Sequence, residues 1–376
     1  MLSLYIHIPF CVRKCLYCGF YSTPYSEQNA ETFITTLRRE AAGYQADFCS
    51  RIFHTVYIGG GTPTALTNDQ VFRIAGIVKD HFTLSKAPEY TIEANPNSAA
   101  RQNFSSYLEQ GVNRLSLGVQ SFSDEILRRL GRLHTAEQAI DVFRAARTAG
   151  FRNIGVDLMY GIPGQTRAQW EQTLLAALRL APEHISAYCL SIDDGSLLKR
   201  EADAGQFMLP DDELVSEMYE DAAATLQGAG YRRYEISNFS LPGFECRHNM
   251  NYWDRGEYLG LGPGASSFVA GRRFHVFSDH QKYAERLERG ESVIEECEIL
   301  SPEQAAQETL LLRLRTSRGM DLSRFKEEHG CSSHDRLQTN MFSLCDAGLL
   351  EMVEGRAKLT DRGFLLYNEA LARLSA

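Results

Sequence analysis

Cys11, Cys15 and Cys18 stand in the stretch FCVRKCLYCGF, Phe10–Phe20, with the spacing C-x-x-x-C-x-x-C. Thiolates are soft ligands that hold iron–sulfur clusters, zinc or copper(I). A structural zinc site closes four ligands, commonly as two separated Cys-x-x-Cys pairs. This chain has no second pair near the trio, although His7 or Cys246 could complete a set of four. Three cysteines suit a 4Fe–4S cluster with one iron left open as a binding site. Arg13 and Lys14, inside the loop, favour the thiolate forms. The other six cysteines (Cys49, Cys189, Cys246, Cys297, Cys331 and Cys345) are scattered, and most are expected to be buried small hydrophobes. Nine cysteines in a chain of 376 residues without a recognisable signal peptide argue against a disulfide framework.

The trio needs a scaffold, and the surrounding pattern supplies one. LSLYIHI reads as a first strand, with the cysteine loop directly after it. Segments of helical spacing then alternate with short apolar runs as far as about Ser191: TVYIGGG, EYTIEANP, RLSLGVQS, NIGVDLMYGIP and HISAYCLS are the later strands. Thr67 or Asn68 caps one helix, and Gly111 and Gly150 close two others. Six strands joined by short right-handed βα units predict an α/β fold with a parallel, barrel-like sheet smaller than an eight-unit barrel. Chemistry on such a sheet gathers at the carboxyl ends of the strands. The cysteine loop lies there, and so do the glycine run GGGTPT (Gly59–Thr64), Glu93 in IEANP, Gln120 in GVQSF and Asp157 in DLMYGIP. Arg132 follows in the next helical region. The plainer reading of Glu93 and Asp157 is a salt bridge lining the barrel, and of the glycines a tight turn.

Beyond residue 195 the rhythm breaks. PDDELVSEMYEDAAATLQGAG is helical, YRRYEISNFS reads as one strand, and LPGFECRHNMNYWDRGEYLGLGPGASSF reads as a long functional loop. From about Ser301 the pattern is three helices and then two short strands around a Glu-Gly turn in LLEMVEGRAKLTDRG, a small winged-helix-like domain. The expected division is 1–195 for the barrel, 196–299 for an α+β extension and 300–376 for the small domain.

The C-x-x-x-C-x-x-C loop, with Tyr17 before its last cysteine, resembles that of radical S-adenosylmethionine (SAM) enzymes, and the coproporphyrinogen-oxidase-like subgroup in particular. The likeness runs over nearly the whole chain, through the barrel motifs, GLGPGASSF and the C-terminal domain. It implies a partial (β/α)6 radical SAM barrel with a 4Fe–4S cluster on Cys11, Cys15 and Cys18, whose open iron chelates SAM. It also implies that Gly60, Gly61 and Thr62 border the SAM amino group and that Tyr5 stands beside the cluster. Glu93 and Gln120 would lie near the ribose and methionine parts, Arg132 near the carboxylate and Asp157 near the ribose.

Within the subgroup the chain resembles the HemW type, regarded as haem chaperones, more than the HemN type, which decarboxylates coproporphyrinogen. HemN-type enzymes carry a further cysteine where this chain has Phe20, and a longer segment before the cluster than the ten residues here. HNMNYW, His248–Trp253, resembles the H-N-x-x-Y-W motif of the HemW type. His248 could ligate haem iron while Tyr252 and Trp253 stack on the macrocycle. The other reading is that these residues pack the segment over the barrel mouth. The resemblance therefore implies a haem chaperone that retains cluster and SAM; the alternative is an oxygen-independent coproporphyrinogen III oxidase, or a related radical SAM enzyme acting on a tetrapyrrole or another substrate. Expected partners are haem, a haem-accepting protein and a reductant for the cluster.

A formal charge of −9 argues against a general nucleic-acid binder, and SHDRLQTNMFSLCDAG lacks the cationic face of a recognition helix. No stretch has the length and apolarity of a membrane span, and a cytoplasmic location is expected.

Overall fold

The computed structural model describes residues 1–194, 196–330 and 340–375. Its centre is the expected parallel sheet: β1 (Leu2–Ile8), β2 (Ile52–Gly60), β3 (Thr83–Ala94), β4 (Arg114–Gln120), β5 (Ile154–Tyr160) and β6 (His184–Cys189) lie side by side in chain order, every pair parallel. β1 and β5 read as nearly unbroken buried runs because helices cover a parallel sheet on its outer face. Those helices include α1 (Glu27–Phe48), α2 (Asn68–His81), α3 (Phe104–Glu109), α4 (Ala136–Ala149) and α5 (Arg167–Leu180). Their starts are written locally. Thr67 with Gln70, Thr135 with Gln138 and Thr166 with Gln169 each form a reciprocal capping box. Gly150 ends α4 in the left-handed region, with φ 115°.

The segment after α6 (Asp212–Gly228) extends the sheet at both edges. YRRYEISNFS is two strands rather than one, β7 (Arg232–Arg233) and β8 (Asn238–Ser240), antiparallel to each other, with β8 antiparallel to β6. The break serves Glu235, which is fully buried and accepts from Ser237 N at 2.9 Å while pairing with Arg315 at 2.9 Å. The long loop expected at 241–268 is also structured. It holds α7 (Arg247–Trp253) and β9 (Glu257–Leu261), and β9 pairs in parallel with β1. β10 (Ser266–Val269), β11 (Arg272–Val276) and β12 (Ile294–Ile299) follow as antiparallel strands, giving a twelve-stranded sheet.

The C-terminal part has α8 (Pro302–Leu314) and a three-stranded sheet of β13 (Met320–Asp321), β14 (Leu350–Val353) and β15 (Arg356–Leu359). β14 and β15 turn at Glu354 and Gly355, φ 51° and 76°, the two positive angles that a type I′ hairpin turn requires. Residues 333–339 of the expected helix SHDRLQTNMFSLCDAG lie outside the described residues, as does Cys331. Glu308 of α8 ties this part to the extension through ion pairs with Arg255 and Arg273. Among the described residues no helix is long and apolar enough to cross a membrane.

Candidate cluster and cofactor site

The cysteine loop leaves the end of β1 and is held from three sides. Gly61 N donates to Ile8 O at 2.8 Å and Thr62 N to Phe10 O at 2.7 Å, so the glycine run lies against the strand that delivers Cys11. A Cβ on Gly61 would sit 2.6 Å from Phe10 O, which excludes any side chain there. Leu16 N donates to Leu130 O at 3.2 Å, and Gly19 N to Asp193 Oδ2 at 2.9 Å. Cys11 Sγ is 3.4 Å from Thr62 Oγ1, and Arg132 Nη1 donates to Cys15 Sγ at 3.3 Å. Burial pushes the Cys18 thiol upward, against a lowering hydrogen bond from the Phe20 backbone. All three thiols face one cavity of about 540 Å³.

The same cavity is walled by Gly60, Gly61, Thr62, Glu93, Gln120, Arg132 and Asp157. Gln120 is delivered by an irregularity: the β4–β5 register shifts between Gly118 and Gln120, and Gln120 has φ 68°. Such a backbone is retained where the side chain must be aimed. Glu93 accepts from Tyr57 Oη at 2.8 Å and Gly60 N at 3.2 Å. Burial, opposed by the Tyr57 hydrogen bond, pushes its carboxyl up to about 7. Asp157 accepts from Ser186 Oγ at 2.6 Å and Ser116 Oγ at 3.0 Å, and burial raises it too. Neither carboxylate forms an ion pair among the described residues, so the salt-bridge reading of both is set aside; their partners are hydroxyls and a backbone N–H.

Tyr5 and His248 lie outside this wall. Tyr5 donates or accepts at His7 Nδ1, 3.0 Å away, and lines a second cleft of about 400 Å³ with Tyr252, Trp253, Tyr258 and Phe268. Phe20, 68 % exposed, borders both spaces. His248 is buried and lines neither space, with its ring 5.0 Å from that of Tyr57. Thr55 donates to Ser3 Oγ, so His248 Nδ1–H donates to Thr55 Oγ1 at 2.8 Å and Nε2 accepts from Tyr252 Oη at 2.8 Å. Both ring nitrogens are therefore engaged, and burial lowers the imidazole to about 3. His7 and Cys246, the two groups that could have completed a zinc set, are turned elsewhere: His7 into the second cleft and Cys246 against Glu89.

Sequence reasoning passed over several lining residues. Tyr57, Ser116 and Ser186 hold the two carboxylates, Arg114 and His184 line the cavity from the starts of β4 and β6, and Tyr188 lines it near the end of β6. Alternation along β4 and β6 was the available signal, since Arg114 and Ser116, like His184 and Ser186, share a strand face. The scattered cysteines are also less buried than expected. Cys246 is buried and Cys345 partly so, but Cys49, Cys189 and Cys297 are exposed. Cys49 follows the end of α1, Cys297 sits on the solvent-facing edge strand β12, and Cys189 ends β6 at the cavity.

The residues fit a polynuclear iron–sulfur group with a polar organic ligand. Among the described residues no group of three or more His, Cys, Asp or Glu gathers around a single metal ion; a 4Fe–4S cluster with one open iron asks instead for one thiolate on each of its other three irons. Arg132 reaches Cys15 with one nitrogen and leaves Nε buried without a partner beside the cavity. The chain matches the radical SAM superfamily over residues 5–177 and the HemN C-terminal domain over residues 300–366. Its fold is that of the Escherichia coli coproporphyrinogen III oxidase HemN, a radical SAM enzyme, with a TM-score of 0.86 over 100% of this chain and 90% of that one at 23% identity. Fold and mouth thus define a radical SAM barrel protein, for which the superfamily implies a 4Fe–4S cluster and SAM. Relatives named heme chaperone HemW are 33% identical in Lactococcus lactis, over 99% of this chain and 96% of the relative, and 34% identical in Bacillus subtilis, over 98% of each. The chain belongs to the HemW family.

Proposed function

We propose that the protein is a haem chaperone of the cytoplasm, binding haem and transferring it to an acceptor protein while its cysteine mouth carries a 4Fe–4S cluster and SAM. The end-to-end similarity to relatives named heme chaperone HemW carries this reading. Cys11, Cys15 and Cys18 hold the cluster, which when bound supplies an open iron for SAM and an electron from an external reductant. Gly60, Gly61, Thr62, Glu93, Gln120, Arg132 and Asp157 orient SAM, and Tyr5 closes the side towards the second cleft. The division of labour follows residues 1–195, 196–299 and 300–376.

Haem is assigned to the second cleft. Tyr252, Trp253, Tyr258 and Phe268 offer aromatic faces to a flat macrocycle, and Arg255 and Arg273 stand at its border. His248 serves this cleft by fixing Tyr252, because its own Nε2 lone pair is occupied. Iron ligation by His248 would need that bond released.

The test is turnover. The reconstituted protein, kept anaerobic with reductant and SAM, is given coproporphyrinogen III, and protoporphyrinogen IX and 5′-deoxyadenosine are quantified. No porphyrinogen conversion is expected. Multiple turnovers would make the protein an oxidase and overturn the reading.

A further inference from the structure

We propose that the flank of the cysteine loop, together with the turn that follows the short helix Asp124–Arg129, is a docking surface for an acidic electron-carrier protein that reduces the cluster. The inference rests on the cluster assigned to Cys11, Cys15 and Cys18 and not on the haem reading. Val12, Arg13 and Lys14 are exposed on the loop between the first two cysteines. Val12 and Arg13 border a shallow cleft with Gly131 and Leu133. Cys15 and Arg132 line this cleft and the main cavity alike. A partner seated on the flank therefore reaches a cluster ligand without entering the space assigned to SAM.

The flank is continuous. Leu16 N of the loop donates to Leu130 O at 3.2 Å, and Leu198 N donates to Leu16 O at 2.8 Å. The cysteine loop, the end of helix Asp124–Arg129 and the start of helix Leu197–Asp203 are thus joined through backbone hydrogen bonds. On the far side of the first helix, Arg128, Arg129, Phe207 and Met208 border one hollow. Met208 is 88 % exposed, Val12 53 % and Leu133 44 %, so apolar side chains meet solvent along the whole strip.

Cations surround these side chains. Arg13 and Arg128 form no ion pair among the described residues, and Arg129 lies over the Phe207 ring at 4.3 Å. The nearby acids are engaged: Glu125 accepts from Gln169 Nε2 at 3.3 Å, Asp124 from Ala136 N at 2.8 Å and Asp193 from Gly19 N at 2.9 Å. A chain of net charge −9 therefore presents unpaired arginines around an apolar strip beside the cluster ligands. Apolar contact supplies the centre of an interface, and complementary charge steers and orients the partner. The partner that fits is an acidic protein carrying one electron at a time. Its prosthetic group is oxidised by one electron and the cluster is reduced by one, with no bond made or broken.

The experiment uses the full chain with its cluster reconstituted, kept anaerobic, and a bacterial flavodoxin, an acidic FMN protein, as the probe. Wild type is compared with Arg128→Glu, Met208→Asp and Lys86→Glu. Lys86 is exposed near the start of β3, at the end of the sheet away from the cysteines, and serves as the control. Calorimetry reads flavodoxin binding, stopped-flow absorbance reads cluster reduction by reduced flavodoxin, and dithionite reads reduction without docking. Saturable binding should weaken by about tenfold between about 0.02 M and about 0.5 M salt, as screening of charge requires. Arg128→Glu and Met208→Asp should each weaken binding and slow reduction by flavodoxin by about tenfold. Both should keep wild-type iron content and the wild-type dithionite rate, which also shows that they fold, and Lys86→Glu should match wild type throughout. If dithionite reduces the cluster while flavodoxin neither binds nor reduces it, or if Lys86→Glu weakens binding as much as Arg128→Glu does, the docking surface is overturned and the cluster reading stands. If sedimentation shows a dimer of this chain that Met208→Asp dissociates while flavodoxin does not bind, the surface belongs to a second copy and the proposal falls. If no cluster assembles on the wild type, the cluster reading fails and the electron-transfer role fails with it.

Discussion

Replacing His248 with leucine isolates what a buried neutral imidazole contributes. In the wild type both ring nitrogens are paired, with Thr55 and Tyr252, and the ring packs on Tyr57. Leucine keeps apolar volume but loses both hydrogen bonds. At pH 8 the His248→Leu variant should be less stable by about 1–3 kcal/mol, the usual cost of leaving a buried partner unmade. The pH dependence is the sharper half. The imidazole falls from 6.5 to about 3 on folding because burial disfavours its cation. The unfolded chain therefore binds a proton below pH 6.5 that the folded chain refuses, and wild-type stability is lost as pH falls through the window from 6.5 towards 3. Each pH unit there is worth about 1.4 kcal/mol at most, so between pH 6.5 and 5 the wild type gives up about 2 kcal/mol that the leucine variant has no imidazole to lose. Urea denaturation of the cluster-free chain at several pH values reads the difference directly. A stability gap that closes towards pH 5 is expected. A gap that is constant from pH 8 to pH 5 would refute the buried, neutral, doubly paired His248.

Other perturbations probe other parts of the structure. Cys11→Ser, Cys15→Ser and Cys18→Ser should each abolish cluster binding, so iron per reconstituted chain drops from about four towards none; a variant that keeps a full cluster spectrum removes its residue from the ligand set. Gly61→Ala should cost about 1–3 kcal/mol, because the new methyl meets the carbonyls of Phe10 and Ile8 at 2.6 and 2.9 Å, and it should lower iron retention; unchanged urea stability and iron content would count against that packing. Glu40 lies under the extension, where it accepts from Gly262 N at 2.8 Å and Tyr283 Oη at 2.7 Å and is pushed up to about 7 chiefly by burial. A raised carboxyl stabilises the fold at low pH and loses that contribution as pH rises from 4.5 to about 7. Glu40→Gln should thus be more stable than wild type above pH 7, by up to about 3 kcal/mol, with the advantage vanishing near pH 4.5; an advantage independent of pH would contradict a raised Glu40.

The barrel was legible because each of its signals is local. The capping boxes at Thr67, Thr135 and Thr166 and the closing Gly150 mark helix ends without any knowledge of the neighbours. The cysteine spacing, GGGTPT, Glu93, Gln120 and Asp157 were readable as strand-end residues once the strands were placed, and they do share one cavity. The segment 241–268 was not legible as structure. Its short helix α7 is pinned by Glu89, which reaches from β3 to Arg247 N and His248 N, and β9 exists by pairing with β1 far away in sequence. YRRYEISNFS was misread because Glu235 is drawn away to Arg315, again a distant partner. The lining residues Arg114 and His184 gave no signal beyond alternation, since an arginine at a strand start reads as solvent-facing until the cavity behind it is seen.

The measurement that bears most directly on the central claim is an equilibrium titration of haem into the anaerobic, cluster-loaded protein, followed by its Soret absorbance, and repeated with Trp253→Ala. The account predicts saturation at one haem per chain, with affinity weakened when the aromatic wall of the second cleft is cut back. Absence of saturable haem binding to the wild type would contradict it.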